Sequence, residues 1–109
     1  MASFLTFQAF QKCKLFKKDN ILVKASLLDG GKTLDFSSIG KYKYSSQYNF
    51  ATYQDLVCAL GVMKTPSFVT SQIESTRALD GVQKANWGKM QAFWTYHPDN
   101  GVNITFNQR

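Results

Sequence analysis

KCKLFKKDNILVKASLLDGGKTLDFSSI, residues Lys12–Ile39, is the stretch on which the fold turns. Its runs of strand character are interrupted by KKDN (17–20) and DGGK (29–32), clusters of residues that favour turns, so two β-hairpins in series are expected. A two-residue type I′ turn on Gly30 and Gly31 sets Leu27 against Leu34, Ala25 against Phe36 and Val23 against Ser38, which keeps the apolar side chains on one side. A three-residue turn would oppose Leu27 with Thr33 and Ala25 with Asp35 and mix the faces. In the first hairpin, a loop of Lys18, Asp19 and Asn20 brings Leu15 opposite Val23 and Cys13 opposite Ala25. That arrangement gathers Lys12, Lys14 and Lys24 on the outer face with Ser26, Thr33 and Ser37, and with Asp35 as the lone acid.

Such a lysine face can follow a phosphate backbone. A half-buried antiparallel sheet also needs a polar side whatever its function, and lysine is a common filler that discourages edge pairing.

The next segment, KYKYSSQYNF (41–50), interleaves cations with aromatic rings. In an extended chain Lys41, Lys43 and Ser45 project to one side and Tyr42 and Tyr44 to the other, with Tyr48 following. Sequence-tolerant binders of single strands use this combination, because rings stack on bases while lysines release counterions from phosphates. The plainer reading packs the tyrosines into the core and leaves the lysines in water.

Thr52 and Asp55 have the spacing of a capping box and Gly61 that of a stop, which predicts a helix over 53–60. Ser71 with Glu74, the Ile73 and Leu79 stripe and Gly81 predict a second over 72–80. In MQAFWTYHPDNGVNITFNQ (90–108) the turn PDNG lies between two strand-like runs. A loop of Asp99, Asn100 and Gly101 places Trp94 beside Phe106 and Tyr96 beside Ile104, with Thr95, His97, Asn103, Thr105 and Asn107 on the opposite face. Phe93 breaks the polarity of that face, as it would if a helix or another chain covered it. Trp87, Phe93, Trp94 and Tyr96 together form the candidate surface for a protein partner, since Trp and Tyr offer large rigid area with a polar handle.

Composition and charge bound these readings. The chain of 109 residues fits one globular domain, 1–109, and its 44% hydrophobic content is far from that of a disordered polymer. The net charge of +6 is uneven: residues 1–43 carry eight lysines against Asp19, Asp29 and Asp35, and the remainder is nearly balanced. This favours an anionic partner, and the dominance of lysine over arginine suits phosphate attraction better than bidentate reading of bases.

Cys13 and Cys58 have neither CxxC spacing nor nearby histidines and read as buried thiols, with a disulfide between the two as the alternative. The apolar stretch of MASFLTFQAFQKCK is broken by Thr6, Gln8 and Gln11, unlike a signal peptide, and no run is long enough to span a membrane. The expected setting is a reducing compartment such as the cytoplasm. His97, the only histidine, stands at the mouth of a tight turn with only Asp99 near it in sequence, and the seven acids are scattered singly. LDGGKT (28–33) lacks the spacing of a phosphate-binding loop. No catalytic residue, metal site or cofactor is assigned.

The expectation is therefore an α+β domain: an antiparallel sheet made of an N-terminal three-stranded meander plus a C-terminal hairpin, with two short helices between them. It is expected to be a non-enzymatic binding protein for RNA or single-stranded DNA, without strong sequence specificity, acting through Lys12, Lys14, Lys24, Lys41, Tyr42, Lys43, Tyr44 and Tyr48. The competing class is an interaction or assembly subunit, including a protein inhibitor, that docks its aromatic C-terminal hairpin on a partner.

Overall fold

A computed structural model describes residues 4–15, 24–39, 53–97 and 101–109. The chain runs α1 (Leu5–Lys12), β1 (Lys24–Leu28), β2 (Thr33–Ile39), α2 (Tyr53–Val62), α3 (Ser67–Ser75), β3 (Gln83–Trp87), β4 (Met90–His97) and β5 (Gly101–Gln108). The α+β class with an antiparallel sheet is as expected, but the strands form a single five-stranded sheet in the order β1-β2-β5-β4-β3. The C-terminal strand thus joins the two strand groups by pairing with β2 on one side and β4 on the other.

The β1–β2 hairpin has the predicted register, Leu27 opposite Leu34 and Ala25 opposite Phe36. Its turn needs positive φ at both central positions, and Gly30 (67°) and Gly31 (99°) supply it while the Lys32 N–H donates to the Asp29 carbonyl at 3.3 Å. Between Phe36 and Ile39 the register against β5 shifts by one residue. Ser38 takes φ 58° there, and its freed N–H donates to Asn103 Oδ1 at 3.0 Å. This bulge turns Ile39 back into the core, where strict alternation would have pointed it outward.

The first strand of the expected first hairpin is overturned, while its loop of Lys18, Asp19 and Asn20 and its partner Val23 lie outside the described residues. Lys12 ends a helix and Lys14 occupies the turn after it, at φ 55°. Thr6, Ala9, Phe10 and Cys13 recur at helical spacing, and this stripe packs inward with Thr6 and Ala9 fully buried. The first N–H of α1, on Leu5, donates to Oε1 of Gln108 on β5, and the Thr6 hydroxyl donates to the Gly31 carbonyl.

Helix α2 matches the predicted 53–60 and runs on to Val62, with Leu56, Ala59, Leu60 and Met63 facing the core. Gly61 does not stop it. The left-handed residue is Lys64 (φ 57°), and the bonds Thr65 N–H to Leu60 O (3.0 Å) and Lys64 N–H to Gly61 O (3.2 Å) close a Schellman motif. The second helix starts earlier than predicted, after Pro66, and ends at Ser75; residues 78–80 form a separate 3-10 turn held by the Arg77 N–H donating to Asp80 Oδ2 at 2.7 Å. Strand β3 had no counterpart among the expectations.

Alternation divides the sheet cleanly. Leu34, Phe36, Ala85, Met90, Ala92, Trp94, Ile104 and Phe106 are buried on one face with Ala9, Leu56, Met63, Val69 and Ile73 of the helices. Phe106 meets Phe36 and Trp87 edge-on at centroid distances of 6.2 and 6.3 Å. Cys13 and Cys58 are bonded to each other, tying the end of α1 to α2 across 45 residues of sequence. They are not the thiols that were expected, and one premise for a reducing compartment goes with them. No helix among the described residues is long and apolar enough to cross a membrane.

Candidate functional site

The three helices pack on the apolar face, so among the described residues no element covers the other. Strand register builds that open face in rows that cross the strands. One row runs Leu28, Thr33, Asn107, Gln91, Asn86 from β1 to β3; the next runs Ser26, Asp35, Thr105, Phe93, Lys84. Neighbouring members of a row stand about 4.8 Å apart, the spacing of paired strands.

Most of these groups are hydrogen-bonded to one another. Asp35 accepts from Thr105 Oγ1 at 2.6 Å and from Ser37 Oγ at 3.2 Å. Thr33 Oγ1 donates to Asp29 Oδ2 at 2.7 Å and accepts from Asn107 Nδ2 at 2.8 Å, while Gln91 Nε2 reaches Asn107 Oδ1 at 3.4 Å. Toward β3 the character changes. Phe93 is 46% exposed and directly opposite Lys84, and a hollow of about 230 Å³ opens between the two rows, lined by Lys84, Asn86, Gln91 and Phe93 over the backbone of Ala85 and Ala92. A flat ring, a cation and two amides converge there. That set can stack on a planar group, neutralise an anion and exchange hydrogen bonds with a polar edge.

The residues predicted to form the site are dispersed. Lys12 and Lys14 are exposed on and after α1, on the helix side of the sheet, so the lysine face does not assemble. Lys24 keeps its place on β1, opposite Ser37. Lys41, Tyr42, Lys43, Tyr44 and Tyr48 lie outside the described residues.

The aromatic group splits as well. Trp94 is 1% exposed, with its Nε1–H donating to Thr76 Oγ1 at 2.8 Å, so it is a core residue and not a partner contact. Trp87 is half-buried and donates from Nε1 to the Met63 carbonyl at 3.1 Å. Phe93 and Tyr96 are exposed but point to opposite faces of β4. Phe93 does break the open face as predicted, though no helix among the described residues lies over it.

Lys84 and Asn86 were missed because β3 was missed, and Gln91, on the β4 run that reads as a strand, takes its meaning only from the Asn86 opposite it. The signal was in NWGKM (86–90): Gly88, at φ 55°, takes the first place of a two-residue turn between QKANW and MQAFW, a hairpin pattern of the Gly-X kind. Among the described residues no three His, Cys, Asp or Glu side chains come together to hold a metal. Set against protein-family models, curated proteins and solved structures, the chain finds no match, and its function has to be argued from the site itself.

Proposed function

We propose that the chain is a non-enzymatic binding module that takes single-stranded nucleic acid, RNA or DNA, on the face of its sheet opposite the described helices. Phe93 serves as the stacking platform, Lys84 neutralises a phosphate, and Asn86 and Gln91 bond to the edge of the stacked base. The observation that carries this is the exposed Phe93 ring set across from Lys84 above a hollow edged by two amides. The net charge of +6 supplies the long-range attraction. Among the described residues the hollow is lined by one ring and a lysine in place of an arginine fork, which favours binding without strong sequence preference. Lys24, which the register places opposite Ser37 on β1, belongs to the proposal on sequence grounds, as do Lys41, Tyr42, Lys43, Tyr44 and Tyr48.

Fluorescence anisotropy of a labelled oligonucleotide, titrated between low and moderate salt, tests the proposal. Phe93→Ala is expected to weaken binding by about 1–3 kcal/mol. Lys84→Gln is expected to flatten the log–log salt slope by about 0.7, the share of one phosphate contact on a single strand. Binding that ignores both substitutions would remove the hollow from the proposal.

One set of observations favours the other class, an interaction or assembly subunit. Phe68 (67% exposed), Leu79 (94%) and Val82 (59%) present apolar surface beyond the sheet face. A dimer or larger species by light scattering, without oligonucleotide affinity, would support that class.

A further inference from the structure

The row of hydrogen bonds that ends at the hollow begins at a group with only one way to bond, and this fixes the sense of every bond along it. A carboxylate has no proton to give, so the Asp29 Oδ2–Thr33 Oγ1 contact of 2.7 Å requires the threonine hydroxyl to donate. Having spent its proton, Thr33 Oγ1 can only accept from Asn107, which must present Nδ2; that contact is 2.8 Å. The Asn107 amide is thereby oriented with Oδ1 toward β4, where Gln91 Nε2 donates to it at 3.4 Å. Gln91 is then held with its nitrogen toward β5, and its Oε1 becomes the acceptor that this amide offers to the hollow it lines.

We infer that Thr33 and Asn107 are positioning residues for ligand binding: they relay the polarity of Asp29 across β2 and β5 and set Gln91 to accept a hydrogen bond from the bound base. This deepens the nucleic-acid reading above and rests on it. Thr33 is 6% exposed, so its hydroxyl stays in the relay and out of contact with the ligand. Without the relay the Gln91 amide samples both orientations, and its acceptor is in place only part of the time.

The test compares Thr33→Val, which keeps the shape and suits a strand but lacks the hydroxyl, with Thr33→Ser, which restores it. Labelled oligonucleotide affinity is expected to fall about fivefold in Thr33→Val, the worth of one hydrogen bond, and to return in Thr33→Ser. The side-chain amide resonances of Gln91 and Asn107 are expected to move in the valine variant and return in the serine variant, with or without ligand. A loss of packing alone would not be rescued by the smaller serine. Asn107→Ser breaks the same row one strand further on and carries the test should the valine variant fail to fold. Wild-type affinity and unmoved amide resonances in Thr33→Val would overturn the relay while leaving Phe93 and Lys84 in place. A wild-type protein that binds no oligonucleotide would overturn the nucleic-acid reading, and the relay as a binding device with it.

Discussion

Phe93 and Trp94 are neighbours in sequence, both large aromatics, and opposite in fate. Trp94 is 1% exposed beneath the helices and Phe93 is 46% exposed above the sheet. Nothing in residue type separates them; parity does, because successive side chains of a strand leave on opposite faces. The two faces of the sheet obey different rules. On the helix side, Phe36, Phe106 and Trp94 satisfy the demand for apolar burial. On the other, Thr, Ser, Asn and Asp side chains satisfy one another by hydrogen bonds, and a large ring has no structural reason to be there. An aromatic side chain on the wrong parity is therefore a better pointer to function than any aromatic in the core.

Substitution can break this contrast or sharpen it. The largest effect is expected from Trp94→Ala, which empties a fully buried site and should cost about 3–5 kcal/mol of folding free energy in urea titrations. Reducing the Cys13–Cys58 bond comes next. It closes a long loop, and removing it should cost about 2–4 kcal/mol, measured as the shift in urea midpoint with and without a thiol reductant. Oligonucleotide affinity of the reduced but still folded protein should be unchanged, because the bond serves only the helix layer.

Replacing Gly30 or Gly31 with Val should each cost more than about 1 kcal/mol through positive φ. A Cβ on Gly31 meets Phe7 and Phe4 at ordinary contact distances of 3.6–3.7 Å and one on Gly30 meets nothing within 4 Å, so the strain of positive φ dominates at both. Smallest is the effect of Phe93→Ala on stability, expected within about 0.5 kcal/mol even as ligand affinity drops. A large loss there would make Phe93 a structural residue and remove the contrast.

Parity was legible in the sequence where partners are local. The DGGK turn fixed the β1–β2 register, and the faces of β4 and β5 were assigned correctly residue by residue. The pairing of those two strands was off by two residues: Trp94 stands opposite Ile104, not Phe106, because Gly101 belongs to the strand, paired with His97, instead of closing the loop. Alternation cannot detect such a slip, which preserves the faces.

Elements settled by distant contacts were harder to read. Helix α1 lacks a side-chain cap of its own and takes its first partner from Gln108, 103 residues away. The end of α2 rests on Lys64, a residue type without left-handed preference, so the glycine three positions earlier was the natural but wrong stop. The site suffered the same way: its ring was noticed, whereas its lysine and one of its amides, Asn86, lay on a strand that only the NWGKM turn announces.

The position of β5 has a consequence for biosynthesis. As the chain is made from its N-terminus, β1 and β2 can pair early, and β3 can pair with β4 once both have been made. These two hairpins have no shared border in the sheet; each meets only β5. Among the described residues, every strand pairing that joins them waits for residues 101–108, as does the Gln108 side chain that receives the first N–H of α1. The nascent chain must therefore carry two unfinished sheet edges until β5 emerges, and the open face across β2, β5 and β4 forms only after that.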